Sequence, residues 1–194
     1  MQSILELKSR NFHFLWPHTS ELQGFSLLWP PALVLLFLLL FVFFTGLPPI
    51  RIIIALIINT LMIGISEELM FRGILFYGAS SSFGIWRAVW ITTIIFGVDH
   101  ILNGFITGDF NASIIQAFSA CMFGFSMVAL RVRLDTIIPG IIFHWVWDFL
   151  TYLTNPIGNM LMFNVELLLF YYGIWLLRNY LPKRFRYKEA SKSV

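Results

Sequence analysis

The chain has 194 residues, of which 58% are hydrophobic and only 12% charged, with a mean hydropathy of +0.80. A soluble domain is about half apolar and about a quarter charged, so this composition excludes an ordinary water-exposed surface and asks for lipid as the solvent. The net charge of +3 sits in loops and in a basic tail, which suits orientation in a membrane, and no nucleic-acid partner is expected.

Residues 1–26 carry Phe12, Phe14, Leu15, Trp16, Leu22 and Phe25 among polar residues. They read as an interfacial segment on the membrane surface, interrupted by Pro17, with His13 and His18 as ordinary interfacial residues. The first long apolar run begins near Leu27 and lasts about 19 residues, longer than the roughly 7–15 of a signal peptide's apolar core. It is therefore read as a retained span rather than a cleavable leader.

A spanning helix needs about 20 mostly apolar residues, and six segments qualify. They run from Leu27 to Thr45, Ile50 to about Tyr77, Ile85 to Ile101, Ala112 to Leu130, about Thr136 to Leu153, and Met160 to Leu177. Gly46-Leu47-Pro48-Pro49 stops the first. Ser80-Ser81-Ser82 with Gly84 is expected to turn the chain after the second, and Asn103-Gly104 to break the third. The expected fold is all-α, a single polytopic transmembrane domain over 1–194 with about six helices.

With the N-terminus cytoplasmic, the inner segments carry Lys8, Arg10, Arg87, Arg131, Arg133, Arg178, Lys183, Arg184, Arg186, Lys188 and Lys192. The outer segments carry only Arg51, and Arg72 lies within a span. That asymmetry places both termini in the cytoplasm, with 178–194 as a basic cytoplasmic tail. A multi-pass protein of the cell membrane, the inner membrane of a bacterium or archaeon, is the expected location. Cys121, the single cysteine, has no partner for an internal disulfide and is read as a small core residue.

An ionisable residue inside a span costs at least a few kcal/mol, and is by default a functional-site candidate. Glu67, Glu68 and Arg72 lie on the second span, Asp99 and His100 on the third, His144 and Asp148 on the fifth, and Glu166 on the sixth. Residues three or four apart share a helix face, so Glu68 can pair with Arg72, and His144 stands one turn from Asp148. Glu67 points about 100° away from Glu68 on a regular helix, so the two glutamates can address different partners. Counted from the cytoplasmic span ends, Glu67, His100, His144 and Asp148 all fall about 15–21 Å deep. Convergence at one level marks 67–148 as a catalytic core. Asp99 either orients His100 or faces a water-filled cavity, and Glu166 is expected to be interfacial and non-catalytic.

The residues also fit motifs. Glu67-Glu68-Leu69-Met70-Phe71-Arg72 is Glu-Glu-x-x-x-Arg, Phe96-Gly97-Val98-Asp99-His100 is Phe-x-x-x-His, and His144-Trp145-Val146-Trp147-Asp148 is His-x-x-x-Asp. In that order they resemble the CAAX protease and bacteriocin-processing (CPBP/ABI) family of glutamate-dependent intramembrane proteases, which includes the type II CAAX prenyl endopeptidases. The resemblance implies a helical membrane fold and peptidase activity without a cofactor. It implies Glu67 as general base on a water, His100 as its positioning partner, Glu68 and Arg72 as support, and His144 with residue 148 as oxyanion stabilisers. Prenyl-processing members carry Asn where this chain has Asp148. A protonated Asp148 still donates to an oxyanion, whereas an ionised one repels it and serves instead to orient His144.

Without the family, the chemistry still reads as hydrolysis: a base near water and donors where negative charge develops. Limited water within a bilayer suits a membrane-anchored or lipidated peptide substrate. Two alternatives stand beside it. Glu67, His100, His144 and Asp148 are all possible ligands of a zinc-dependent hydrolase, although no His-Glu-x-x-His motif is present. Buried carboxylates and imidazoles also serve as proton relays in transporters or as structural groups in non-catalytic immunity proteins.

Overall fold

A computed structural model describes residues 24, 26–154 and 156–178, excepting the side chains of 156–161. The expected interfacial segment and basic tail lie outside the described residues, apart from a few at their inner ends. Each of the six apolar segments forms a helix, and no strand occurs among the described residues. The chain is an all-α, multi-pass membrane protein.

Helix α1, Trp29–Thr45, has prolines in its first turn, where a missing N–H leaves no bond unmade. It ends at Gly46 with φ 98°. Leu33, Phe37, Leu40, Phe43 and Phe44 all lie open on its surface. An apolar face of that extent belongs against lipid.

Helix α2 runs 34 residues from Ile50 to Phe83. Its middle, Glu68–Leu75, widens into a π-helix before α-geometry returns at Phe76. Of the expected turn at Ser80–Ser82 with Gly84, the serines stay helical. Ser80 and Ser81 donate their hydroxyls to the carbonyls of Tyr77 and Gly78, so the serines satisfy themselves within the helix. The break comes at Gly84, whose φ of 82° only glycine adopts freely.

Helix α3 spans Ile85–Thr107. It narrows to a 3-10 turn over His100–Leu102 and resumes through Asn103-Gly104, so that pair does not end it. Asn103 Nδ2 instead donates to Gln116 Oε1 of the next helix at 3.0 Å. Helix α4, Phe110–Leu134, is capped by Asp109, whose Oδ1 accepts from the Ala112 N–H. An Arg131–Asp135 pair at 2.9 Å closes its last turn. Helix α5 is Ile138–Leu153 and helix α6 is Pro156–Arg178.

The segments Ser26–Thr45, Ile50–Phe83, Ile85–Thr107 and Phe110–Leu134 are long and apolar enough to cross a membrane. The fifth expected span, α5, has 16 residues, about 24 Å against a hydrocarbon core of roughly 30 Å. Helix α4 occupies the centre between α3 and α6, while α5 packs on α2 and α1 and touches α6 only lightly. The two halves join at Phe123, whose ring stacks on Phe143 and lies 5.4 Å from Trp147.

Candidate active site

Helices α2 and α5 approach closely because Gly64 has no side chain. A Cβ there would lie 3.1 Å from the Trp145 amide nitrogen. Trp145 Nε1 donates to the Ile57 carbonyl at 3.0 Å and sets the register of the pair. This contact brings His144 opposite the π-segment of α2.

The centre of the site is a buried triad of charge. Glu68 Oε1 lies 3.1 Å from Arg72 Nη1 and 3.0 Å from His144 Nδ1. All three side chains are almost wholly buried. Arg72 Nη2 also donates to the Gly124 carbonyl at 3.2 Å, and its guanidinium lies 4.1 Å over the Phe96 ring. Both glycines that face this group are needed for its space. A Cβ on Gly140 would stand 2.9 Å from Glu68 Oε2, and one on Gly124 would stand 2.7 Å from Phe96 and 3.1 Å from Arg72 Nη2.

His144 then turns its other nitrogen to a second pair of carboxyls. Nε2 is 3.6 Å from Glu67 Oε2 and 3.6 Å from Asp148 Oδ2. Both glutamates thus lie beside His144, and Glu68 pairs with Arg72 as well. Glu67 ends the α-helical stretch with φ −72° and ψ −42° and Glu68 opens the π-segment, and their carboxyls meet the imidazole on opposite nitrogens. Glu67 differs from Glu68 in access: its side chain is 25% exposed against 1%, and its Oε2 is buried without a hydrogen-bond partner.

His100 stands one ring away. Its Nδ1 donates to the Phe96 carbonyl at 2.9 Å, which leaves Nε2 as the acceptor of a neutral imidazole. Phe96 connects the two histidines, with centroids 4.9 Å from His100 and 6.0 Å from His144. No direct bond joins His100 to Glu67 among the described residues. Asp99 is exposed and does not orient His100, since that nitrogen is held by the Phe96 carbonyl.

Glu166 lies about 15 Å along α6 from Pro156, is only 7% exposed, and has its Oε2 buried without a hydrogen-bond partner. One expectation requires correction: Cys121 is half-buried rather than core. With Trp90, Thr93, Ile94, Phe118 and Phe163 it lines an apolar groove of about 580 Å³ between α3, α4 and α6. Sequence reasoning also gave no role to Phe96, Phe123, Gly124 or Gly140. The motif spacing pointed to Phe96, but nothing local marks the glycines, whose neighbours come from distant helices. Among the described residues, no three His, Cys, Asp or Glu side chains are grouped to hold a metal ion.

A family model described as type II CAAX prenyl endopeptidase Rce1-like matches residues 49–150, more than half of the chain. The chain belongs to this Rce1-like family. Comparisons with curated proteins and with solved structures gave no match. The matched stretch holds α2, α3, α4 and most of α5, and every residue of the Arg72–Glu68–His144 group; Glu166 lies beyond it. Membership in the Rce1-like family makes the chain a membrane-embedded hydrolase of the CAAX-protease type.

Proposed function

We propose that this chain is a glutamate-dependent intramembrane endopeptidase that cleaves a membrane-anchored or lipidated peptide. The observation that carries this reading is His144 bridging two unlike carboxyls, a sealed one on Nδ1 and an accessible one on Nε2. Glu68, fixed between Arg72 and His144, is spent on holding geometry. Glu67, with an unsatisfied oxygen beside the same ring, is free to accept a proton.

In the reaction, Glu67 removes a proton from water as the water oxygen bonds to the scissile carbonyl carbon. The carbonyl electrons move onto oxygen, and the oxyanion is met by Nε2–H of a His144 imidazolium, whose Nδ1–H is held by Glu68, and by the residue at 148. His100 Nε2 accepts the second hydrogen of the water and aims its lone pair. The tetrahedral intermediate collapses, the C–N bond breaks, and Glu67 returns its proton to the departing amine. No cofactor enters these steps. The apolar groove along α3, about two turns from His100, favours a substrate with an isoprenoid or acyl chain over a hydrophilic one.

The test uses the purified chain in lipid vesicles with a fluorogenic farnesylated peptide ending in a CAAX sequence. Membrane peptides from cells carrying active or Glu67→Ala protein are compared by mass spectrometry to find the natural products. Glu67→Ala and His100→Ala are each expected to lower the rate at least about a hundredfold while the protein still inserts. Near-normal cleavage by either variant overturns the role assigned to that residue. A loss on chelation that zinc restores would make the enzyme a metal-dependent one.

A further inference from the structure

The helices define two ends of the bundle. Asn103 bonds to Gln116 while Gly97 packs on Cys121, so α3 and α4 are antiparallel. Gly64 packs on Trp145 while Glu68 faces Gly140, so α2 and α5 are antiparallel too. One end therefore carries the last turns of α2 and α4 and the first turns of α3 and α5. The other carries the connections that follow α1, α3 and α5. The candidate site lies closer to this second end. His100 is about 10 Å from Thr107 but about 22 Å from Ile85, and Asp148 is about 8 Å from Leu153 but about 15 Å from Ile138.

The two sides of the site also differ in character. Toward the first end stand Arg72, Phe71, Phe96, Phe123 and Phe143, all buried, which close that side to water. Toward the second end the surface is polar. Glu67 and Asp148 keep 25% and 19% exposure, Asp99 and Tyr152 are exposed, and Asn103 pairs with an exposed Gln116. Charge then distinguishes the ends. Of the 13 lysines and arginines, only Arg51 belongs to the second end, while Arg72 is sealed within the site. Cations collect on the cytoplasmic side of a membrane protein. We propose that the site opens on the extracytoplasmic face of the membrane, and that its substrate is a peptide whose anchor lies in the outer leaflet. A scissile bond beside such an anchor needs to sink only about 10 Å to reach His100, whereas a cytoplasmic peptide meets the aromatic seal. This inference rests on the peptidase reading above.

The first experiment maps the opening without using activity. Cys121→Ala gives a parent without cysteine, since Cys121 is the single one. Asp99→Cys and Asn103→Cys on the polar side, and the exposed Ser82→Cys at the opposite end, are each made in that parent. Intact cells are treated with a membrane-impermeant maleimide, before and after permeabilisation. Asp99→Cys and Asn103→Cys are expected to label in intact cells at rates that permeabilisation raises less than about twofold, and Ser82→Cys only after it. Labelling of Ser82→Cys in intact cells overturns the proposal, and so does failure of Asp99→Cys to label there. If Asp99→Cys does not insert, Asn103→Cys decides by the same criterion. The second experiment gives right-side-out and inside-out vesicles the fluorogenic farnesylated peptide, extended at its N-terminus by charged residues that do not cross a bilayer. Right-side-out vesicles are expected to cleave it at least about tenfold faster, with detergent bringing both to one rate. Equal or faster cleavage by inside-out vesicles overturns the proposal. Labelling from outside without cleavage even in detergent defeats the peptidase reading itself, so the two failures are told apart.

Discussion

Arg72 is the largest of the fully buried side chains, and its position shows how a charge is kept inside a membrane protein. It gains an ion pair, a carbonyl and an aromatic face at once. Removing one partner of a buried pair leaves the other uncompensated, which costs about 3–5 kcal/mol. Arg72→Met is therefore expected to destabilise the protein by about that amount, read by denaturation in mixed micelles. Glu68→Gln with Arg72→Met, which removes both charges, is expected to recover most of the loss. A single variant as stable as the parent would show that the pair is not what holds α2 against α4. The ion pair itself was legible in the sequence from its four-residue spacing. The attachment of Glu68 to His144 was not, because 76 residues separate them and only the α2–α5 contact brings them together.

At the scale of the elements, the π-segment and the small residues opposite it do the work that a loop does in a soluble enzyme. Glu67 and Glu68 lie at the junction of α- and π-geometry and both reach one ring from another helix. The hydropathy pattern carries no trace of this, since it depends on what packs against the helix. Gly140 is part of that packing. Gly140→Ala places a methyl 2.9 Å from Glu68 Oε2 and is expected to displace the carboxylate from His144, lowering cleavage about tenfold or more. Gly78→Ala, with nothing within 4 Å of its added carbon, is expected to leave cleavage unchanged and to stabilise the helix by up to about 1 kcal/mol. Equal effects of the two substitutions on cleavage would refute the packing role given to Gly140. The serine run misled for a related reason: serine favours turns in isolation, but in lipid its hydroxyl is satisfied most simply by the helix carbonyls behind it.

For the molecule as a whole, the distribution of lysine and arginine sets the expectation that both ends face the cytoplasm. A phosphatase reporter fused after Val194 is expected to be inactive and a fluorescent-protein reporter bright; the opposite pair of signals would invert the topology. The bundle is lopsided, with α4 buried between α3 and α6 while α1 and the first half of α2 offer most of their surface to lipid. This leaves the polar group between α2, α3 and α5, and the lightly packed α5–α6 boundary is where Glu166 enters.

The amino-acid sequence by itself determined that the chain is helical and lives in a bilayer, because about 20-residue apolar runs have no other stable state. It also singled out the candidates for the chemistry, because charges in such runs are too costly to keep without use. Tertiary structure alone decided that Glu67 and Glu68 meet on one histidine, that His100 is held back by Phe96, and that Glu166 faces inward. Those outcomes depend on contacts between helices far apart in the chain and on where α6 begins, none of which leaves a periodic signature.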